Sequence, residues 1–295
     1  EKEKLNVDMY ALNSRVNDLY FGILLLDEQL KQNALLQDEL ERNYRQIAAY
    51  VENGIANQAD LDAVKVEQLN TKQKRVELVS SRMAYLKMLS LLVGEKLPQE
   101  TVLEKPVPHE VSAVSEIRRP ELSLFNAQGV GLQVQEKALN VRHLPQFGLF
   151  VQGAYGNPGL NMLKNEFSPY YIAGVRLSWN FGSLYTLKND RKVIENKRRQ
   201  LDNNRDVFLF NTRLEMTQQD QAIQSLEKQM QDDDEIIRLR TNIRKSAEAK
   251  VANGTLTVTE MLRELTNESL ARQSKALHEI QRLMGIYQLK YTTND

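Results

Sequence analysis

Two carboxylate side chains, Asp60 and Glu260, hold the positions in this sequence whose spacing is best suited to specific chemistry. Asp60 stands three residues after Asn57, and Glu260 stands three residues after Thr257. An Asn or Thr followed three residues later by an acid is the pattern of a capping box, in which side chains and backbone exchange hydrogen bonds at a helix start. The spacing therefore predicts that each acid closes the first turn of a helix.

Each acid follows a short stretch that is suited to end the preceding helix. Asn53-Gly54 stands before the first acid and Asn253-Gly254 before the second. Gly or Asn closes a helix because it adopts the left-handed backbone conformation at little steric cost. Between residues 51 and 95, six positions are identical to their partners 200 residues later, namely Val51, Asn53, Gly54, Gln73, Arg82 and Leu89. The repeat predicts two helical hairpins with equivalent tips.

Other residues that could do chemistry lack the spacing that a site requires. The acidic run Asp232-Asp233-Asp234 lies in a polar helical pattern and is interpreted as a solvated face. The three histidines do not have metal-ligand spacing and are interpreted as ordinary surface residues: His109, His143 and His278. No nucleophile motif or phosphate-binding loop is present. The sequence therefore predicts no enzyme, with no catalytic residue, cofactor or metal site.

The amino-acid composition argues against nucleic acid as a partner and against sites that need cysteine. The 39 basic and 39 acidic residues cancel, so the chain lacks the basic excess of a nucleic-acid binder. Cysteine is absent, which excludes disulfides and thiolate metal sites and fits an oxidising compartment as well as the cytosol. No run approaches the 18 or so apolar residues of a membrane-spanning helix. Any membrane contact is expected to use strands or a surface.

Long helices must position the two tips. From residue 12 to residue 51 positions spaced alternately by four and three are apolar except for Asn33 and Gln37, which keep the register. This is the heptad pattern of a coiled coil. About fifty helical residues at 1.5 Å each make a helix of roughly 75 Å. A return helix over about 58–93 carries Leu69 and Val76 among its apolar positions. A polar helix over 183–252 and a second return helix over about 258–293 repeat the arrangement.

One pair of segments has the alternation of β-strands. Phe147, Leu149, Val151 and Tyr155 fall on one side of the first segment. The second segment alternates an apolar set, from Tyr171 to Phe181, with a small or polar set. Aromatic residues mark both ends of its apolar face, as in a membrane β-barrel strand with aromatic girdles: Tyr170, Tyr171, Trp179 and Phe181. A hairpin packed on soluble helices is the alternative interpretation.

The predicted fold is mainly α, with long coiled-coil hairpins of the α-barrel type and one membrane-type strand pair. The predicted segments are 1–95, the first hairpin with its tip at 52–60; 96–116, an irregular connector; 117–145, a helix leading to the strands; 146–182, the strand pair with its loop at 156–169; and 183–295, the second hairpin with its tip at 252–260. On the 200-residue offset, one helix and one strand pair have no counterpart. We therefore expect an N-terminally truncated product of a duplicated helix–strand–strand–helix unit.

The ordered set of motifs resembles the TolC-like outer-membrane efflux family over nearly the whole chain. The motifs are Asn53-Gly-Ile-Ala-Asn-Gln-Ala-Asp-Leu61, Leu92-Val-Gly94, Arg119-Pro-Glu-Leu122, Leu177-Ser-Trp-Asn-Phe-Gly182 and Asn253-Gly-Thr-Leu-Thr-Val-Thr-Glu-Met-Leu262. The resemblance implies a homotrimer of the full-length protein, with a twelve-stranded barrel in outer-membrane lipid and an α-barrel in the periplasm. A periplasmic adaptor and an inner-membrane pump would be its partners in a tripartite efflux or type I secretion system.

The resemblance also implies roles for individual residues. Gln152, Arg176, Ser178 and Asn180 would face the water-filled lumen, with Val175, Leu177 and Trp179 toward lipid. The tips would form the closed end of the tunnel and the adaptor contact, where rings of carboxylates could select cations. Those tip residues are Asn53, Gly54, Asp60, Asn253, Gly254, Glu260 and Arg263.

The sequence departs from the family pattern at the second tip. Arg263 stands where a second acid is expected, and Leu256 stands where a basic gate residue is expected. A gate latched by salt bridges is therefore not predicted here, and capping alone remains an alternative role for both acids. A periplasmic coiled-coil adaptor and a soluble coiled-coil scaffold are the alternative functions. The substrate stays open between drugs, metals and proteins.

Overall fold

The fold is mainly helical and carries one pair of strands. A computed structural model describes residues 1–107, 116–142, 144–179 and 181–294. The elements are helices α1 (Lys2–Glu52), α2 (Gln58–Val93) and α3 (Pro120–Arg142), strands β1 (Gln146–Gly156) and β2 (Ser168–Ser178), and helices α4 (Ser183–Ala252) and α5 (Val258–Thr293). The predicted mainly α fold with a single strand pair is confirmed. The chain divides into two compact units, residues 1–120 with 209–295 and residues 121–208.

The first unit buries its largest core beside the two tips. Ile47 of α1 and Val64 of α2 are almost fully buried, and they pack in one cluster with Val251 of α4 and Leu265 of α5. Burying an aliphatic side chain of this size contributes roughly 1.5–3 kcal/mol. The shared cluster places both tips side by side at the same end of the unit.

A pair of ion pairs shows the duplication in three dimensions. The Arg82 guanidinium lies 2.5 Å from Asp27, which joins α2 to α1. The Arg282 guanidinium lies 2.8 Å from Glu227, which joins α5 to α4. Both members of the second pair are 200 residues after those of the first. The two hairpins therefore hold their helices in the same register with the same kind of contact.

The apolar residues of α2 divide between two sides of the helix. Val64 and Leu86 are buried, but Leu69 and Val76 are more than half exposed. The sequence pattern includes all four among the apolar positions of the return helix without assigning them to a side. Leu69 and Val76 are exposed because none of the described helices covers their side of α2.

The second unit contains the strands, α3 and the first part of α4. Phe125 of α3 and Phe208 of α4 pack with ring centroids 5.8 Å apart, and Arg198 of α4 lies 3.0 Å from Glu136 of α3. The strands pair antiparallel from Gln146 opposite Ser178 to Gly156 opposite Ser168.

The second strand ends earlier than the alternation predicted. It stops at Ser178, whereas the pattern continued through Trp179 to Phe181. The reason is that β1 begins at Gln146, directly after Pro145, so no partner residue is paired beyond Ser178. Trp179 and Phe181 instead contact each other after the strand, with ring centroids 4.4 Å apart and ring planes tilted by 37°.

Candidate functional site

The first tip is closed by hydrogen bonds on both sides of a left-handed glycine. Gly54 has a φ of +74°, which an L side chain rarely adopts. The side chain of Asn53 donates to the Ala49 carbonyl at 2.7 Å. Across the tip, Asp60 donates its backbone N–H to the Asn57 side chain at 3.0 Å and accepts from the Asn57 backbone at 3.1 Å. The predicted capping box is therefore formed.

The second tip repeats this arrangement and holds a charged carboxylate in place. Gly254 has a φ of +66°, and the Asn253 side chain donates to the Ala249 carbonyl at 2.9 Å. The Thr257 hydroxyl donates to Glu260 at 2.8 Å and accepts from its backbone N–H at 3.2 Å. Hydrogen bonds from the hydroxyl and backbone N–H of Thr257 lower the pKa of Glu260 below its usual value of 4.5. An exposed negative charge therefore stands at this tip at neutral pH.

The surroundings of the second tip differ from a latched gate. Leu256 packs against the buried cluster that contains Ile47 and Val251. Its apolar side chain therefore contributes to the packing beside the tip and offers no charge for a salt bridge. Arg263 is exposed, and its Nε lies 3.6 Å from the carboxylate of the neighbouring Glu264. A groove of about 450 Å³ runs beside it, lined by residues of both helices that include Lys250 and Glu260.

Removing the second cap should cost stability without disturbing the core. Thr257→Ala deletes the side chain that both accepts from and donates to Glu260, so we expect the free energy of unfolding to fall by about 1 kcal/mol. Urea unfolding followed by circular dichroism measures the change. Thr259→Ala, two residues later on an exposed position of the same turn, is the matched control and should leave stability within about 0.5 kcal/mol. Equal effects of the two variants would contradict a specific cap.

The strand pair presents one continuous apolar face. Residues directly opposite in an antiparallel pair share a face, and Leu149 is opposite Val175 while Phe147 is opposite Leu177. These four side chains are 58–87% exposed. Tyr171 lies on the same face, opposite Gly153. The face predicted from the alternation therefore exists, and the described residues leave it uncovered.

The opposite face is the polar one and holds three of the four residues predicted to face a lumen. Arg176 pairs with Gly148, Gln152 with Ile172, and Gln146 with Ser178. The Arg176 guanidinium lies 5.5 Å from the centroid of the Phe150 ring on this face. Asn180, the fourth residue, lies outside the described residues.

Tyr170 is on the polar face rather than beside Tyr171. It pairs with Ala154, whereas Tyr171 pairs with Gly153, because successive strand residues point to opposite faces. The two tyrosines therefore cannot both belong to an aromatic border of the apolar face. Trp179 and Phe181 remain exposed and contact each other just past the strand.

The sequence patterns missed a buried charge network between α4 and α5. The carboxylate of Glu268 is almost fully buried and accepts from Arg244 at 2.5 Å, Arg272 at 2.6 Å and Thr241 at 2.8 Å. Burial raises the pKa of Glu268, but the hydrogen bonds from Arg272, Thr241 and Arg244 outweigh it and leave the pKa below 4.5. Position 268 matches Gln68 at the 200-residue offset, and Gln68 bonds Glu41 at the position that matches Thr241. That offset was the signal that could have revealed the network.

A second polar contact corrects the interpretation of His278 and Asp233 as solvated surface residues. Asp233 is 5% exposed, and its carboxylate lies 2.9 Å from Nδ1 of His278, whose side chain is 15% exposed. The middle acid of the 232–234 run points toward α5, while Asp234 on its outer side pairs with Lys275. His109 and His143 lie outside the described residues.

Two further observations bear on the kind of site. Among the described residues, no group of three or more His, Cys, Asp and Glu side chains could hold a metal ion. Within the same residues, none of the helices combines the length and the apolar character needed to cross a bilayer.

Nearly the whole chain is similar in fold to solved outer-membrane proteins. The outer-membrane protein VceC of Vibrio cholerae is similar with a TM-score of 0.82 at 11% identity, over 99% of this chain and 72% of that one. The transmembrane channel protein CusC gives 0.80 at 18% identity, over 99% and 70%. The open state of the Neisseria gonorrhoeae MtrE outer-membrane channel gives 0.73 at 12% identity, over 99% and 67%. No family model and no curated protein sequence matches the chain.

The chain has the TolC-like fold. The structures that it resembles are channels of that family, so the architecture predicted from the ordered motifs is confirmed. In the TolC-like fold of this chain, two capped tips end the hairpins and one strand pair stands between α3 and α4.

Proposed function

We propose that this protein is the outer-membrane channel of a tripartite efflux or type I secretion system. It would form the exit duct through which small molecules or proteins cross the periplasm and the outer membrane. The observation that carries the proposal is the apolar face of the strand pair, where Leu149, Val175 and their neighbours are exposed. An uncovered face of this kind is favourable in lipid and unfavourable in water.

A membrane location in turn requires more strands. Two strands cannot satisfy all of their backbone groups in lipid, so only a closed barrel is stable there. Strands from further copies would close it, which supports the homotrimer. The polar face, with Gln152, Arg176 and Ser178, would then line a water-filled lumen, as alternating strand positions do in membrane barrels.

The tips are proposed as the periplasmic entrance and the contact with a periplasmic adaptor. Asp60 at one tip and Glu260 at the other are held by capping hydrogen bonds. Each tip also has an Asn-Gly turn, at 53–54 or 253–254, and no described atom outside the turn lies within 4 Å of the position that a Cβ on the glycine would occupy. Three copies would bring six such carboxylates to one entrance. A cluster of fixed negative charges raises the local concentration of cations.

Single-channel recording tests this proposal. Protein expressed from its complete gene and placed in a planar lipid bilayer should conduct ions in discrete steps. Asp60→Asn with Glu260→Gln keeps the oxygen that accepts each capping bond and removes the charge. We expect this double variant to lower the cation-to-anion permeability ratio by about twofold or more, with an unchanged melting temperature.

Charge removal elsewhere is the control for the tip variant. Glu77→Gln with Glu215→Gln removes the same charge from exposed positions away from the tips and should leave the permeability ratio unchanged. An unchanged ratio in the tip variant would leave Asp60 and Glu260 with capping alone. Absence of any conductance from inserted protein would contradict the channel itself.

A further inference from the structure

The polar face of the strand pair carries a single charged side chain. Strands β1 and β2 contain no Asp, Glu or Lys, and Arg176 is their only basic residue. Its side chain is exposed. Among the described residues it has neither an ion pair nor a hydrogen-bond acceptor, and its one contact is with the Phe150 ring, 5.5 Å away. The N–H groups of this guanidinium are therefore available to a ligand.

An open position lies directly across the sheet from Arg176. Its partner on β1 is Gly148, and a Cβ built there would meet no described atom within 4 Å. The backbone of Gly148 is outside the left-handed region, so its conformation does not require glycine. A glycine inside a strand often marks a place where a ligand approaches the backbone closely.

The Phe150 ring borders this open position and is held in place from the other strand. Phe150 follows Gly148 by two residues, so both are on the same face of β1. A Cβ on Gly174, the partner of Phe150, would lie 2.9 Å from the ring, so the ring leans across β2 at this point. The ring is half-buried. It presents a fixed aromatic surface beside the Arg176 guanidinium.

The other borders of the open position are small or polar. Gln146 precedes Gly148 by two residues, and Ser178 lies opposite Gln146. Same-face residues of a strand are about 6.6 Å apart, so Gln146 and Phe150 are separated by about 13 Å along β1. This spacing leaves room for a planar ring above Gly148.

The chemistry of these borders indicates one class of ligand. A guanidinium matches the geometry of a carboxylate and binds it with charge-assisted hydrogen bonds. A phenyl ring favours contact with another aromatic ring. Because neither strand has an acidic residue, a cation has no partner here. A molecule that carries both an aromatic ring and a negative charge satisfies both groups.

We propose that Gly148, Phe150 and Arg176 form a binding site for an aromatic anion. Its carboxylate pairs with Arg176, and its ring lies above Gly148 against Phe150. The inference rests on the proposed channel, since this face would line the duct, and it names a class of cargo that the duct contacts on its way out. Three copies would place three guanidinium groups at one level, and such a ring of positive charge attracts anions.

Block of single-channel current tests the site. Protein expressed from its complete gene is placed in a planar lipid bilayer, and 2-naphthoate is added as the probe. Decahydro-2-naphthoate keeps the carboxylate but lacks the aromatic ring, and 2-naphthamide keeps the ring but lacks the charge. We expect 2-naphthoate to block half of the current at an about tenfold lower concentration than either of these two compounds.

Substitutions on the two faces separate the site from charge alone. Arg176→Gln removes the charge, and Gly148→Val keeps the charge but fills the open position with a residue that suits a strand. Each should raise the half-blocking concentration of 2-naphthoate about tenfold. Phe150→Leu should narrow the difference between 2-naphthoate and its decahydro analogue. Gly153→Val is the matched control, because Gly153 lies on the apolar face opposite Tyr171, and it should leave the block unchanged.

The outcomes distinguish this inference from the proposed function. Equal block of the native channel by the three compounds overturns the inference and leaves the channel standing. An unchanged block in Gly148→Val also overturns it, because charge alone then accounts for the effect. Loss of block in Gly153→Val does so too, since the effect is then not specific to the polar face. Absence of current steps from inserted protein contradicts the channel itself.

Discussion

Replacing Glu268 with alanine is expected to lower the free energy of unfolding of the helical unit by about 3–5 kcal/mol. The carboxylate accepts hydrogen bonds from Arg244, Arg272 and Thr241 in an almost fully buried position. Removing it leaves Nε of Arg244, whose side chain is 14% exposed, and the Thr241 hydroxyl without their acceptor, while Glu248 remains a carboxylate contact of Arg244. Buried donors left without an acceptor, one of them on a charged group, cost more than the lost contacts alone. Urea unfolding followed by circular dichroism gives the difference.

The first hairpin offers a matched control for this variant. Gln68 occupies the position 200 residues before Glu268 and bonds Glu41 at 3.0 Å without a buried charge. Gln68→Ala should therefore cost no more than about 1 kcal/mol. A similar cost at both positions would contradict a special role for the buried network.

Acid should weaken the same network with a defined sign. The pKa of Glu268 is below 4.5 in the folded protein, so its ionised form stabilises the fold above the unfolded-state value and this contribution is lost as pH falls through the folded value. The advantage of the native chain over Glu268→Gln should thus be constant near neutral pH and shrink below about pH 4.5. A stability difference between the native chain and Glu268→Gln that stays constant below about pH 4.5 would contradict an ionised Glu268 in the network.

Placing a charge on the apolar strand face should prevent assembly in the outer membrane. Leu149 and Val175 are direct cross-strand partners, and an arginine on a lipid-facing strand costs about 2–4 kcal/mol near the bilayer midplane. Leu149→Arg with Val175→Arg should therefore reduce the amount of folded protein in the outer membrane at least about tenfold. Fractionated membranes from cells that express the complete gene provide the measurement.

The other face of the same strand supplies the control. Gln152→Arg adds a charge three residues along β1, on the face that already carries Arg176. It should leave membrane recovery unchanged, because a lumen-facing arginine stays in water. Equal losses from both faces would point to general damage to the strands and against a lipid-facing side.

The strand faces and the helix caps could be predicted because each depends on local chemistry. Alternation at period two fixes which residues share a face, so the opposition of Leu149 and Val175 follows once two strands pair. Asn57-x-x-Asp60 forms its capping box within four residues. The end of β2 at Ser178 could not be predicted from that segment, because it depends on where the partner strand begins.

The contacts between helices were harder to predict because they depend on packing between distant segments. Helix α4 is polar along most of its length, so no apolar stripe marks the side on which Asp233 and Thr241 meet α5. In α2 the sequence marks apolar residues but does not distinguish the buried Val64 and Leu86 from the exposed Leu69 and Val76. The 200-residue offset helps here, because the ion pair between Arg82 and Asp27 recurs between Arg282 and Glu227. Contacts known in one hairpin therefore indicate which residues meet in the other.

Fractionation of cells that express the complete gene tests the central claim most directly. The account predicts that the protein is recovered in the outer membrane as a trimer that dissociates on heating. The exposed face around Leu149 and Val175 would then be covered by lipid. Recovery of the protein as a soluble species, with no trimer in the outer-membrane fraction, would contradict the proposal that this chain is an outer-membrane channel.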